Sequence, residues 1–375
     1  MIDDSILSMV AIGLTLLFLG LINGFQFAQT QLPPDALPQL NVPRITPGST
    51  TGDQAPLIKP GTLITGALAP LSAWVSTLGH DHPLVGRIWS ADRQDAVLPS
   101  DAVNAAAEAD VVLIGETHDN PDHHKLQAWL IKELSHKGKH PGVVMEMIGA
   151  DKAEALASVQ VASNPTPDIV GAQLDWGNSG WPAWSMYRPI VEAAMAAGYP
   201  ILPGDASKTQ IRDVGDNGLR AITEAERDRL ALNRPLPARL GTALTEDLKV
   251  SHCNQLPDAE VAKMLDVQRF RDSVLADNVL KAVQKDGSAV LIAGDGHVRS
   301  DRGVPYYLRA RSPNLKIFSI LLKEVEPNVE NPADALPRDP DGKPAANLIW
   351  FTARSDRVDP CDALRQQLQQ KSGTG

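Results

Sequence analysis

Two copies of the pattern Gly-x-x-His are the residues of this chain with the clearest potential for chemistry. The first occupies residues 115–118 (GETH) and follows the apolar run VVLI, and the second occupies residues 294–297 (GDGH) and follows AVLIA. An apolar run that ends in glycine is typical of a buried strand followed by a tight turn. Imidazole and carboxylate groups at such a turn, as in Glu116 and His118, predict acid–base chemistry or a divalent metal site.

Acidic residues end two other apolar runs. Glu146 lies near the end of VVMEM, and Asp205 follows a shorter apolar stretch. In an open parallel sheet the carboxyl ends of the strands meet at one edge, where ligands bind. We therefore expect one crevice that contains the candidate catalytic or metal-binding set: Glu116, His118, Glu146 and His297. A structural, hydrogen-bonded histidine remains the alternative for each motif taken alone.

Other histidines have less distinctive settings. His123 and His124 fall in the first turn of a predicted helix, where His124 could face the mouth of the crevice. Exposure of both rings to solvent is the alternative. His80 and His82 flank Asp81 in a region that we interpret as a linker, and we expect them to be solvated.

An aromatic cluster offers a different kind of site. Three tryptophans precede Tyr187 within a short stretch: Trp176, Trp181 and Trp184. These rings could stack on a flat apolar ligand such as a porphyrin, with Tyr187 as an oxygen ligand to ferric iron. Arg299 and Arg302 follow the second histidine motif and could pair with carboxylates such as porphyrin propionates. Core packing is the alternative for the aromatic residues, and a solvated loop is the alternative for the arginines.

The elements that must position these residues predict an α/β fold. Continuous apolar runs alternate with helical patterns, which indicates a mostly parallel sheet flanked by helices. One helix begins at Asn120, and another spans residues 182–197 with a kink or break expected at Pro189. No strand pattern occurs in residues 207–286, and residues 259–284 read as one long helix. We expect this part to form a smaller all-helical insertion domain.

The domain organisation follows from these patterns and from the prolines. We expect a targeting segment in residues 1–28, a proline-rich linker in 29–84, the α/β domain in 85–206 and 287–325, the helical insertion in 207–286, and a final part in 326–375. That final part is expected to hold a second linker, an edge strand at residues 348–352 (LIWFT) and a polar tail.

The N-terminal segment contains a 17-residue apolar run at residues 6–22. Its length is at the short end of the range for a membrane span. Asp3 and Asp4 occupy the place where a signal peptide would carry positive charge. We interpret the segment as an uncleaved anchor or a signal peptide, which leaves the protein secreted or membrane-anchored.

Charge and cysteine content exclude some classes of protein. The 375 residues have a formal net charge of −10, whereas nucleic-acid-binding domains usually present a basic face. With two cysteines, Cys253 and Cys361, no zinc-ribbon spacing is available. The two could form a long-range disulfide in an oxidising compartment, and a pair of free thiols is the alternative.

Five stretches together resemble the ChaN family. They are VVLIGETHDNPDHHKLQAW (residues 111–129), VVMEMI (143–148), LDWGNSGWPAWSMYRPI (174–190), SHCNQLP (251–257) and AGDGHVRSDRGVPYYL (293–308). This family belongs to a superfamily of haem-binding uptake proteins and Tiki-type metalloproteases, with erythromycin esterases as distant relatives. ChaN proteins are often lipoproteins, and this chain lacks the cysteine that would follow the N-terminal segment.

The resemblance implies haem binding linked to iron uptake on the periplasmic side of the bacterial envelope, with a homodimer possible. Under this interpretation the candidate haem-binding residues are Tyr187, His118, His297, Arg299 and Arg302. The Tiki-type relatives imply the alternative, a divalent-metal-dependent hydrolase in which Glu116, His118, Glu146 and His297 hold the metal or act in catalysis.

Overall fold

An eight-stranded sheet forms the centre of the molecule. The computed structural model describes residues 73–359, 361–362 and 365. The strands are β1 (Ile88–Ser90), β2 (Asp95–Val97), β3 (Val111–Glu116), β4 (Gly142–Gly149), β5 (Ile201–Asp205), β6 (Ala289–Gly294), β7 (Ile317–Glu324) and β8 (Leu348–Thr352). Their order across the sheet is β2-β1-β8-β7-β3-β6-β4-β5, and all neighbouring pairs are parallel except β1–β2 and β1–β8.

Helices cover the sheet. The α-helices are α1 (Pro99–Ala107), α2 (Pro121–His136), α3 (Ala153–Gln160), α4 (Pro167–Gln173), α5 (Trp184–Ala196), α6 (Lys208–Asn217), α7 (Glu224–Arg229), α8 (Ala238–Ser251), α9 (Asp258–Asp286), α10 (Val304–Arg311) and α11 (Pro332–Ala335). Buried side chains form two hydrophobic clusters. The predicted α/β fold with a mostly parallel sheet is confirmed.

The apolar runs become central strands because their side chains are buried on both faces. All six residues of β3 and of β6 are buried, and β3 lies between β6 and β7. A strand in this position needs apolar residues at successive positions, since neither face meets water. The same continuity identified these strands in the sequence.

The start of α2 follows from three residues in a row. The Asn120 side chain accepts hydrogen bonds from the backbone N–H groups of Asp122 and His123, and Pro121 occupies the first helical position. Proline is favourable there because its missing N–H would have no partner within the helix. This cap fixes where the chain turns from β3 into α2, directly beside the first histidine motif.

The predicted linker ends earlier than expected. The carboxylate of Asp122 accepts hydrogen bonds from the backbone N–H groups of Val75 and Ser76, at 2.9 and 2.8 Å, and Trp74 packs against a core cluster. Ordered packing therefore begins near residue 74, so the boundary at residue 84 is wrong. Acceptors on a distant helix hold this segment, and local sequence does not reveal them.

The strand at residues 348–352 forms as predicted, but the prediction of an edge position is wrong. β8 lies between β7 and β1, parallel to β7 and antiparallel to β1. The short β1–β2 hairpin covers the edge that β8 would otherwise expose. The preceding part is also more ordered than a linker, because it contains α11 and buries Leu336.

Residues 207–286 contain only helical elements and turns, as expected. The long helix α9 packs along the sheet, and its residues Phe270 and Leu275 belong to the same hydrophobic cluster as Val144 of β4 and Leu291 of β6. The separation of this part as its own domain stays a prediction. Cys253, just after α8, forms a disulfide with Cys361, with Cα atoms 5.5 Å apart.

Two expectations concern helices and targeting. Helix α5 continues through Pro189 without ending there. The predicted anchor or signal peptide, residues 1–28, lies outside the described residues. Within the described part of the chain, no helix combines the length and apolar character that a membrane crossing requires.

Candidate functional site

The carboxyl ends of β3, β4, β5 and β6 bring the predicted residues to one edge of the sheet. Glu116 ends β3 and lies opposite Gly294, the last residue of β6, in the parallel register. Glu146 of β4 accepts a hydrogen bond from the backbone N–H of Gly294 at 2.7 Å. The sequence prediction that these strand ends converge is confirmed by this register.

Glu116 is a buried carboxylate that three side chains approach. The Tyr187 hydroxyl donates to Oε1 at 2.9 Å, Nδ1 of His118 lies 2.9 Å from Oε1, and Nδ1 of His124 lies 3.1 Å from Oε2. Burial alone would raise the pKa of Glu116, but the charge of the nearby His124 and the hydrogen bond from His118 hold it well below its usual range. Glu116 is therefore an anchor that orients the groups around it.

His118 is the half-exposed member of this group. Its side chain is 37% exposed, and its ring lies edge-on to Trp181 with centroids 4.9 Å apart. Among the described residues, no group forms a hydrogen bond with its Nε2 atom. Burial opposes protonation of the ring, yet the hydrogen bond to Glu116 and the charge of Glu146 raise the pKa of His118.

Gly294 makes room for this ring. A Cβ atom at residue 294 would lie 2.9 Å from Nε2 of His118, which is closer than real Cβ atoms approach. The absence of a side chain at the end of β6 thus allows the imidazole to turn toward the crevice. The second histidine motif therefore supplies space for the first.

His297 is held differently. Its Nδ1 atom lies 2.6 Å from Oδ1 of Asp272, and its Nε2 atom lies 3.3 Å from Oε1 of Glu146. Burial opposes the charged form, but these two carboxylates raise the pKa of His297 to about 10. The ring is an imidazolium at neutral pH, and both of its nitrogens already have partners.

Arg271 of helix α9 joins two strand ends. Its guanidinium donates to Glu146 Oε1 at 2.7 Å and to Asp205 Oδ2 at 2.7 Å. Burial would lower the pKa of Arg271, but the charges of Asp205 and Glu146 raise it. Burial alone would raise the pKa of Glu146, but the positive charges of His297 and Arg271 hold it well below its usual range. Glu146, Asp205, Arg271 and His297 thus form a network in which each charge has a partner of opposite charge.

Several members of the site have no distinctive pattern in the sequence. His123 and His124 are fully buried, which excludes the alternative that both rings are exposed, and His124 faces Glu116. The sequence patterns above do not single out Arg271 and Asp272, although these two adjacent charged residues follow the buried Phe270 of α9. Charges that interrupt the apolar side of a long helix are a pattern that could have identified them, because a buried charge requires a partner.

The remaining predicted haem-binding residues are enclosed. Tyr187 is fully buried with its hydroxyl on Glu116, and burial together with that carboxylate raises its pKa well above the usual value. Arg302 is buried and pairs with Asp301 and Asp247. Arg299 also pairs with Asp301, at 3.0 Å, so neither arginine lies in a solvated loop.

The predicted metal-binding residues form two hydrogen-bonded groups. Glu116 belongs with His118, and Glu146 belongs with His297. Within the described residues, no group of three or more histidine, cysteine, aspartate or glutamate side chains is arranged to hold a metal ion.

Comparisons with known proteins identify relatives of the chain. A family model described as "Haem-binding uptake, Tiki superfamily, ChaN" matches residues 102–308, more than half of the chain. No curated protein matches the chain in sequence. The structure reported as "Cofacial heme binding to ChaN of Campylobacter jejuni" is 18% identical with a TM-score of 0.55, and the match covers 70% of this chain and 95% of that one.

Two other solved structures share less of the architecture. The type III effector HopBA1 is 13% identical with a TM-score of 0.37, and the match covers 68% of this chain and 92% of that one. A mutant of the erythromycin esterase EreC in its open conformation is 13% identical with a TM-score of 0.33, and the match covers 76% and 88%.

Proposed function

Because the chain belongs to the haem-binding uptake (ChaN) family of the Tiki superfamily, we propose that it binds haem at the carboxyl edge of the sheet. In this proposal Nε2 of His118 would hold the haem iron. The corresponding role is haem or iron uptake at the bacterial cell envelope, on the periplasmic side. The observation that carries the proposal is that His118, alone among the candidate haem ligands, exposes more than a third of its side chain.

The surroundings of His118 suit an axial ligand. An imidazole that binds a metal usually donates its other N–H to a carboxylate, which fixes the tautomer and raises the basicity of the ligand. Nδ1 of His118 has this arrangement with Glu116. Trp181 adds a flat apolar surface beside the ring, which favours a planar aromatic ligand.

The tyrosines argue for histidine over an oxygen ligand. All four tyrosines of the chain lie in the described part, and three are buried: Tyr187, Tyr199 and Tyr307. Tyr306 is half-buried. The Tyr187 hydroxyl would have to leave Glu116 before the tyrosine oxygen could hold the iron of a haem at the surface. His118 needs no such rearrangement.

Location and assembly form the finer part of the proposal. The disulfide between Cys253 and Cys361 supports an oxidising compartment such as the periplasm. The Campylobacter jejuni relative is described as binding haem cofacially. We extend this to a homodimer in which two copies enclose the haem groups at the exposed His118 edge.

A haem titration tests the proposal. We would follow the Soret band of ferric haem on the chain from Gln31 onward, comparing wild type with His118→Ala, Tyr187→Phe and the surface control His136→Ala. Loss of an axial ligand is expected to weaken binding by about tenfold or more in His118→Ala and to shift the Soret band. Tyr187→Phe and His136→Ala should behave like wild type. Retained binding in His118→Ala with loss in Tyr187→Phe would assign the ligand to Tyr187 instead.

The pH dependence provides an independent check. Iron binds the deprotonated Nε2, and the pKa of His118 is raised. Haem affinity should therefore increase as the pH rises from 6 to 8. An affinity that is unchanged over this interval would contradict ligation by His118.

The metal-dependent hydrolase is the second candidate, and the same samples distinguish it. Its candidate residues are Glu116, His118, Glu146 and His297, which would hold a divalent ion that supplies the nucleophile for hydrolysis. Three results together would favour this candidate over haem binding. Wild type would contain stoichiometric divalent metal, His118→Ala and His297→Ala would lose it, and wild type would show no Soret shift.

A further inference from the structure

A cavity lies at the same edge of the sheet, beyond the ends of β7 and β8. Its volume is about 380 Å³, within the usual range for a small-molecule site. Three polar residues line it (Asp81, His82 and Arg354), and so do three apolar residues (Pro83, Val325 and Pro327). None of the residues described above for the haem crevice belongs to this lining.

The backbone around the cavity is fixed. Leu78 and Arg354 exchange two backbone hydrogen bonds, at 3.2 and 2.8 Å, which attach residues 73–83 to the chain that leaves β8. Val325 donates its N–H to Thr352 at 2.9 Å. The polar side chains of the cavity therefore start from a rigid frame.

Arg354 has no partner for its guanidinium among the described residues. Its Nε atom is buried and forms no hydrogen bond there, and no carboxylate in that part of the chain lies within ion-pair distance. Arg357, three residues later, pairs with both Asp119 and Glu324. A buried guanidinium N–H without an acceptor is costly, and a bound acceptor would remove that cost.

His82 contributes a second unmet donor. Its Nδ1 accepts a hydrogen bond from the backbone N–H of Leu84 at 3.3 Å. Because Nδ1 is the acceptor, the neutral ring carries its proton on Nε2. That Nε2 atom is buried and has no partner among the described residues. Two residues that line one cavity thus each carry an N–H donor without a partner among the described residues.

We propose that this cavity binds the carboxylate of a small organic acid. A planar carboxylate matches the fork of the Arg354 guanidinium and can also accept from Nε2 of His82. The apolar wall of Pro83 and Val325 suits a short hydrocarbon body. Asp81 lies on the same lining, and its charge disfavours a dianion such as phosphate more than a monoanion.

Equilibrium dialysis with radiolabelled butanoate tests this site on the full chain in mild detergent. Wild type should bind butanoate saturably, and inorganic phosphate at equal concentration should not displace it. Removal of a charge-assisted partner in Arg354→Gln should weaken binding about tenfold or more. Arg93→Gln, at an exposed arginine away from the cavity, is the matched control and should bind like wild type.

Two further variants keep the test decisive if Arg354→Gln does not fold. His82→Phe keeps a flat ring without the donor and should weaken binding several-fold, by roughly the value of one hydrogen bond. Asp81→Asn removes an exposed charge and should tighten binding. The proposal is overturned if wild type shows no saturable binding, if Arg354→Gln or His82→Phe binds like wild type, if Asp81→Asn weakens binding, or if phosphate competes as well as unlabelled butanoate.

Discussion

Because His297 carries a proton in the folded protein, we expect the protein to become less stable at alkaline pH. The ring lies between the carboxylates of Asp272 and Glu146, at 2.6 and 3.3 Å, and its pKa is about 10 in the folded chain. In the unfolded chain the value returns to about 6.5. A raised folded pKa means that the stabilisation is fully present below pH 6.5 and is lost as the pH rises through 10.

The size of the effect follows from the two pKa values. Each pKa unit corresponds to about 1.4 kcal/mol, so a rise from 6.5 to about 10 corresponds to about 5 kcal/mol. Whole domains are stable by only about 5–15 kcal/mol. Deprotonation of this one ring should therefore remove a large share of the free energy of unfolding.

Urea unfolding of wild type and His297→Gln between pH 6 and 10.5 measures this contribution. Over this interval the free energy of unfolding of wild type should fall by about 5 kcal/mol more than that of His297→Gln. The variant has no proton at this position to lose. Lysine and tyrosine titrations affect both proteins and cancel in the difference. His136→Gln removes an exposed histidine, 58% exposed at the end of α2, and should follow wild type.

Ring ¹⁵N chemical shifts provide the direct observation. The chain has nine histidines, and His297→Gln identifies the resonance of interest by its disappearance. The His297 ring should still be an imidazolium at pH 8. A midpoint near 6.5, or equal pH slopes for wild type and His297→Gln, would refute the assignment of this proton.

Two further predictions concern the same edge of the sheet. Arg271→Gln leaves two buried carboxylates without their shared partner and should cost about 3–5 kcal/mol in urea unfolding at pH 7. Arg188→Gln breaks exposed pairs and should cost less than about 1 kcal/mol, so equal costs would contradict the argument. Gly294→Ala places a Cβ 2.9 Å from Nε2 of His118 and should lower haem affinity, measured by Soret titration, while the protein remains folded. Gly296→Ala has open space around its Cβ and serves as the control; equal affinities in the two variants would show that the His118 ring position is unimportant.

The strands and their common edge could be predicted because local sequence determines them. A strand buried on both faces needs apolar residues at successive positions, and β6 and the part of β3 before Glu116 have them. The cap at Asn120 is equally local, since one side chain and the next proline define the helix start. Glu116, His118 and Glu146 could therefore be placed at one edge from the sequence alone.

The partners of those residues depend on how helices pack, which local patterns do not encode. His124 reaches Glu116 because α2 lies against the sheet, and Arg271 reaches Glu146 because α9 does. The interior position of β8 depends in the same way on a hairpin more than 200 residues away in sequence. Periodicity identifies a helix face, but it does not say which strand end that face will meet.

The two Gly-x-x-His motifs show how one pattern produces two different sites. Each histidine follows the end of a neighbouring strand, yet only His297 lies against α9, where Asp272 occupies its second nitrogen. His118 has Glu116 on one nitrogen and the side-chain-free Gly294 beside the other. The pairing of β3 with β6 links the two roles, because the second motif contributes the glycine that gives the first its space. A closed, charged histidine and an open, half-exposed one are thus complementary parts of a single edge, and the open one is where a ligand can bind.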